Sequence, residues 1–511
     1  MERMNLKKVI ERRHPEYDGL VKHWNFLEAT YNGGRSWFDE NLFQYHKEGS
    51  NEHKDRLTRA YRFNHTREIV NLVNKYTFRG EVKRQEEPSK ELGEFWKKAT
   101  RDGRTIEQFM QQADIKSSTF GRIWIVVDSN LGQEGAISVA DQKASGAQVY
   151  AYIVPPTHML DMGFDDDGEM LWALIYEPKR DDDDPFTSSG SVQKRWRIWT
   201  KEKWFLIAEE AEGTKMKYVM KEEGDNALGV VPIVPLDALG NHESAYASPA
   251  LINDIAYLDR AVANYLSNLD AIIQDQTFSQ LAIPAQNLAP GEDDYQKMVE
   301  MGTKRVFVYD GEGGGGPFYL SPDVKQAHLI VDVISKIINE IYHSVGVAGE
   351  RTKADNSQGI DNSSGVAKAY DFERVNSLLA AKSRALQKAE NEIARLVQLY
   401  AGLDVAVSGD LQLVKYPESY DVRGLTEEFS ISERLMLIEA PDVVRREQMR
   451  ALIDKLFPHL KADIRREIEK ELESYPAAPE PVGLSPSFAL QSEEQEPEED
   501  DSSSAQQWVS K

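Results

Sequence analysis

Residues 248–275 read SPALINDIAYLDRAVANYLSNLDAIIQD, and within and just before the end of that stretch Leu251, Ile255, Leu258, Val262, Leu266, Leu269 and Ile273 recur at steps of three and four. The spacing predicts one helix whose apolar side runs unbroken for roughly six turns. Ser248 suits its N-cap and Pro249 its first helical position. A second stretch repeats the design: Ser321-Pro322-Asp323 opens a helix striped by Ile330, Ile334, Ile337, Ile341 and Val345. Away from those isoleucines it carries Lys325, His328, Asp332, Lys336, Asn339, Glu340 and His343, for which a solvated face is the default. A β/loop insert with the run Arg305-Val306-Phe307-Val308-Tyr309 separates the two helices.

Outward from this pair the pattern changes twice. Upstream, residues from about 5 to 80 read as helical. Leu20, Trp24, Leu27 and Tyr31 lead to a stop at Asn32-Gly33-Gly34, and Ile69, Leu72, Val73 and Tyr76 lead to a break at Phe78-Arg79-Gly80. From about 118 to 235 short β-type runs take over, at 122–127, 149–154, 171–176 and 195–200, divided by acidic or glycine-containing turns. Downstream, the polar segment 349–364 precedes the longest helical stretch, about 364–400, roughly 55 Å if unbroken. A short strand-like piece at 411–416 and helical runs from about 430 to 474 follow. The last 36 residues, with several prolines and the block Glu493 to Asp501, read as a disordered acidic tail. The class is α+β, predominantly helical.

Composition narrows the chemistry. The 511 residues include 61 basic and 85 acidic side chains, a formal charge of −24. That sign excludes a surface built mainly to grip phosphate and leaves only local or weak contact with nucleic acid. There are no cysteines, so disulfides, thiolate metal sites and cysteine nucleophiles are ruled out. No apolar run of about eighteen residues occurs and the N-terminus lacks a signal-peptide core, from which a soluble protein made in a cytoplasm, without membrane partners, is expected. Gly311 to Gly316 formally fits G-x-G-x-x-G, but Pro317 to Pro322 follows as extended chain where a dinucleotide site needs a helix. No P-loop is present. His46, His53 and His65 read as exposed helix histidines, and Asp165, Asp167 and Glu169 as a solvated turn lacking the remaining calcium ligands. No catalytic, cofactor-binding or metal-binding residues are assigned.

The order of elements, together with Tyr31-Asn32-Gly33-Gly34, Ile69-Val70-Asn71-Leu72-Val73, Val231-Pro232-Ile233-Val234 before Ser248-Pro249, Ser364-Gly365-Val366-Ala367 and Ala389-Glu390-Asn391-Glu392, resembles the portal proteins of tailed bacteriophages, closest to siphovirus-like ones, over about residues 16–475. The resemblance implies a portal fold. Residues 1–247 would form the wing, with its β-rich module at 118–235, 248–275 and 323–347 the stem helices and 276–322 the clip. The tunnel loop would be 348–364, the long wing helix and return strand 365–424, the crown 425–475 and the tail 476–511. It further implies a ring, usually of twelve, at one capsid vertex of the virion, assembled in the host cytoplasm. Double-stranded DNA would pass through it during packaging and ejection. Its other partners would be the terminase motor, then the head-tail adaptor, the major capsid protein and a scaffolding protein.

In such a ring Glu350, Arg351, Lys353, Asp355, Asn356, Gln358, Asp361 and Asn362 would form a light collar on the duplex, and the seven polar residues of the second helix the channel wall. A thin stem subunit cannot bury both stripes alone, so Leu258, Val262, Leu266, Ile330, Ile334, Ile337 and Ile341 are expected to pack between subunits. Packing against the chain's own core is the alternative. Two rival functions stand beside the portal: a non-ring helical scaffold or adaptor, and an enzyme of DNA metabolism.

Overall fold

The computed structural model describes residues 6–46, 48–129, 148–212, 215–240, 244–277, 280–284, 306–309, 316–320, 324–346, 365–403, 412–418, 420, 425–438, 440–457, 462–473 and 475. The chain divides into two compact units, Met1–Tyr420 and Asp421–Lys511.

The first unit opens with helices α1 (Leu6–Ile10), α2 (Tyr17–Asn32), α3 (Arg35–Asn41), α4 (Ser50–Arg59) and α5 (His65–Thr77). Helix α2 ends where the asparagine–glycine pair predicts, with Gly33 at φ 63°. Strand β1 (Lys83–Arg84), α6 (Lys90–Lys97) and α7 (Ile106–Phe120) follow. Helix α7 starts in a capping box. The Thr105 hydroxyl accepts the Gln108 amide at 3.3 Å while the Gln108 side chain accepts the Thr105 amide at 3.2 Å.

Ten strands come next: β2 (Arg122–Ser129), β3 (Val149–Val154), β4 (Met159–Phe164), β5 (Met170–Tyr176), β6 (Lys179–Arg180), β7 (Val192–Gln193), β8 (Arg195–Thr200), β9 (Lys203–Glu212), β10 (Lys215–Asp225) and β11 (Ile233–Asp237). They make an antiparallel five-stranded sheet, β10-β9-β8-β5-β4, and an antiparallel three-stranded sheet, β11-β2-β3, while β6 and β7 pair as a separate ribbon. Strand β2 is apolar on both faces. Ile123 through Val127 are all buried, sharing one core with Phe109 and Met110 of α7 and with Trp199 of β8.

The two long helices are α8 (Ile255–Thr277) and α9 (Val324–Ser344). Between them, β12 (Gln280–Pro284) pairs parallel with β13 (Val306–Tyr309) and antiparallel with β14 (Phe318–Leu320). Helix α10 (Gly365–Tyr400) returns into the main core through Leu386, Ala389, Ile393, Leu396 and Val397, and β15 (Val414–Lys415) pairs with β1. The second unit contains α11 (Leu425–Leu437), α12 (Asp442–Leu456) and α13 (Ala462–Glu473). Among the described residues, no helix is long and apolar enough to cross a membrane.

Several expectations need correction. Helix α8 begins at Ile255, and Ser248-Pro249 does not cap it. Residues 248–251 are pinned instead to the end of α7. The Leu251 amide donates to the Ser118 carbonyl at 3.1 Å, and the Ser248 carbonyl passes so close to Gly121 that a Cβ there would stand 1.8 Å from it. Gly121, at φ 91°, is what allows that approach. His65 is no exposed histidine. It is buried, with Nδ1 3.1 Å from the Tyr342 hydroxyl of α9.

Candidate functional site

The part of the fold that stands apart chemically is the α8/α9 pair, and its foundation is a set of buried polar ties. Asp259 of α8 is fully buried and accepts the Thr66 amide at 3.2 Å and the Thr66 hydroxyl at 2.8 Å. Arg62 approaches the same carboxylate at 3.8 Å while its guanidinium lies 4.0 Å from the Trp37 ring centroid. On α9, the Tyr342 hydroxyl donates to Glu68 at 2.9 Å. Both helices are thereby fixed to α5. A buried carboxylate without such donors would cost several kcal/mol, on the order of the penalty for an unpaired ion.

The segment between α3 and α5 also clasps α8. Asn264 exchanges hydrogen bonds with this segment, accepting the Phe43 amide at 3.1 Å and donating to the Asn41 carbonyl at 3.0 Å. Arg56 donates to Ser267 at 2.9 Å and to Glu48 at 2.7 Å. The Arg56 hydrogen bond holds the Glu48 carboxyl below its ordinary value, so the pair stays charged.

The apolar stripes meet each other. Leu258, Val262 and Leu266 of α8 share one cluster with Ile330, Ile334, Ile337 and Ile341 of α9, closed at the base by Ile255 and Val345. Val262, Leu266, Ile334 and Ile341 are buried in the single chain. Four of the seven residues expected between subunits are thus covered within the single chain, while Leu258, Ile330 and Ile337 are half-buried. Two facing helices standing on a third provide each stripe with its own partner.

The opposite side of α9 is as the sequence indicates: Lys325, His328, Asp332, Lys336, Asn339, Glu340 and His343 are all exposed. With histidine neutral, this face carries two lysines against two carboxylates and no net charge. Two residues past the end of α9 stands Gly346 (φ 78°), where a Cβ would press to 3.2 Å against both Arg374 and Val375 of α10. The eight residues expected to form the loop collar, Glu350 to Asn362, lie outside the described residues, as do Gly311 to Gly315 and the acidic tail from 476 onward. The chain after those glycines is strand β14, not a helix that could seat a pyrophosphate.

Other motifs resolve into structural roles. Asp165 accepts the amides of Asp167 and Glu169 and a 3.0 Å contact from Lys201, which caps a turn. His53 faces the Leu42 carbonyl at 3.3 Å. Within Ala389-Glu390-Asn391-Glu392, Glu390 is buried between Arg84 at 2.7 Å and the Tyr416 hydroxyl at 2.6 Å. Asn391 donates to the Val414 carbonyl and accepts the amides of Leu413 and Val414, holding the return strand. Sequence reading missed the Lys382–Asp114 pair, 2.7 Å apart and buried on both sides, because nothing local in α10 or α7 marks it.

No family model and no curated protein matches the chain. Solved structures that contain similar chains include two from gene transfer agent particles. One, from the virion of a native gene transfer agent particle, is 12% identical with a TM-score of 0.37, covering 74% of this chain and 85% of that one. The other, from the neck of an empty gene transfer agent particle computed with C6 symmetry, is also 12% identical with a TM-score of 0.37, covering 74% of this chain and 90% of that one.

Proposed function

We propose that this chain is a portal subunit of a tailed phage, twelve copies of which form a ring whose bore carries double-stranded DNA. The observation that carries the reading is the mainly polar face of α9, exposed from Lys325 to His343 on the side away from the stripe that packs on α8, with Leu329 as an exposed apolar residue among its polar ones. Repeated about an axis, such a face makes a wettable wall without net charge. DNA binding strength comes from cations that displace counterions, so a wall of balanced charge lets the duplex slide. At −24 per chain, twelve copies total 12 × −24 = −288, which opposes tight binding of free DNA.

In this reading 1–247 is the wing, 248–275 and 323–347 the stem, 276–322 the clip, 348–364 the tunnel loop, 365–424 the long helix and return strand, and 425–475 the crown. The clip is where terminase docks and the head-tail adaptor later replaces it. The crown faces the capsid interior, with the major capsid and scaffolding proteins as neighbours of the assembled ring.

Negative-stain imaging of the purified full chain tests the proposal. Annular particles with a central opening wide enough for a duplex are expected, and compact single particles would overturn it in favour of a non-ring scaffold or adaptor. Deleting 351–361 should leave rings intact but lower the yield of stably filled heads, and unchanged yields would remove the loop's role. ATPase or nuclease activity in the pure protein would favour the enzyme reading instead.

A further inference from the structure

The second unit leaves a group of apolar side chains in water at the turn between α11 and α12. Met436, Leu437, Ile438, Val443 and Val444 are all exposed, Leu437 by 82% and Ile438 by 72%. The turn that presents them is hydrogen-bonded. The Ile438 amide donates to the Arg434 carbonyl at 3.1 Å and the Ala440 amide to the Leu435 carbonyl at 3.0 Å, with Ala440 buried between the two exposed groups. Five apolar side chains held open in this way cost the chain free energy in water unless something covers them.

The chain's own sequence supplies a cover. The Tyr475 carbonyl accepts the Arg446 side chain at 3.2 Å. Arg446 and Val443 are three apart on α12, hence neighbours on one face. Tyr475 therefore stands within one arginine side chain of the face that carries Val443, and 476–511, outside the described residues, follow it in sequence. Most of those residues are polar or acidic, but Val482, Leu484, Phe488, Ala489 and Leu490 fall close together. From Tyr475 to Leu484 the chain can span up to about 30 Å at about 3.3 Å per residue, ample for a patch about one helical turn away. The acidic block Glu493 to Asp501 comes next, and Arg434, exposed one turn before Leu437, makes no ion pair among the described residues. An apolar segment followed by acidic charge thus matches an apolar patch bordered by an unpaired arginine. A tethered segment is also present at roughly millimolar effective concentration, which favours it over a second copy in free solution.

We infer that residues 482–490 dock on the patch of Met436, Leu437, Ile438, Val443 and Val444 of the same chain, with Phe488 and Leu490 as apolar anchors and the acidic block beside Arg434. Hydrogen exchange of the full chain, read by mass spectrometry, tests the docking. Amides within 484–490 should exchange at least about tenfold more slowly than in an unprotected chain. Leu437→Gln combined with Ile438→Gln should remove that protection, and so should Phe488→Ser in the tail. Both helix residues are exposed, so the double variant should leave exchange in α12 and α13 unchanged. Unprotected amides in the wild type, or protection that survives both variants, overturn the docking. The chain has no cysteines, so Ile438→Cys with Leu490→Cys provides one defined pair for a short bismaleimide. A cross-linked monomer is expected. No cross-link, or a cross-linked dimer that would give the patch to a second copy, overturns the proposal.

Discussion

The α10 anchor and the α8/α9 pair use charged side chains in opposite ways. Where α10 crosses the core, Lys382 and Asp114 are buried together, and the lysine also donates to Ser118 at 2.8 Å while Asn74 donates to Asp114 at 2.8 Å. Glu390 is similarly enclosed by Arg84 and Tyr416, and burial beside that carboxylate drives the Tyr416 hydroxyl far above its ordinary pKa. On the outer face of α9 the charges are exposed, and Asp332 and Glu340 have no ion pair among the described residues. A buried ion must be matched on the spot or the fold loses several kcal/mol, whereas an exposed one is nearly free of such constraint. Charges inside the core therefore report on architecture, and the exposed carboxylates of Asp332 and Glu340 are left open to contact with something else.

The contrast is broken most severely by Lys382→Met, which strands Asp114. A loss of about 3–5 kcal/mol is expected in urea unfolding of the purified protein. Adding Asp114→Leu should recover most of it, and no recovery would mean that the pair is not the anchor. Ile341→Ala should cost near the lower end of about 2–5 kcal/mol, because the stripe is packed within the chain. Measured on monomer under dissociating conditions, a null effect would return the stripe to the interface between copies. Asn391→Ala removes three hydrogen bonds to the return strand and should cost about 1–3 kcal/mol, with faster amide exchange at Leu413 and Val414.

The acid limb gives a smaller effect. Glu48 has a folded-state pKa below its ordinary 4.5 because Arg56 bonds the charged form. Its contribution is complete above about pH 4.5 and is lost as pH falls through the lowered value. Glu48→Gln should therefore be less stable than wild type at pH 7, and the two curves should converge below about pH 4.5. The smallest effect belongs to the polar face. Asp332→Asn should shift stability by no more than about 0.5 kcal/mol, and a larger loss would show that this face is not simply solvated.

Much of this fold was legible from periodicity. The 3.6-residue stripes located α8 and α9, the long helical stretch at about 364–400 coincides with α10, the glycines after Asn32 ended α2, and the runs at 149–154 and 195–200 coincide with β3 and β8. The exposed face of α9 followed from the same arithmetic, since whatever lies opposite a packed stripe meets water. The Thr105-x-x-Gln108 signature is a local cue for the start of α7. No window of sequence could show that the two stripes would cover each other, that Gly121 would admit the backbone of Ser248 and delay α8 to Ile255, or that Lys382 would find Asp114. Local pattern sets which side of an element is apolar, because side-chain direction repeats with the backbone. Which partner covers that side depends on contacts between residues far apart in the chain, and only the tertiary structure decides it.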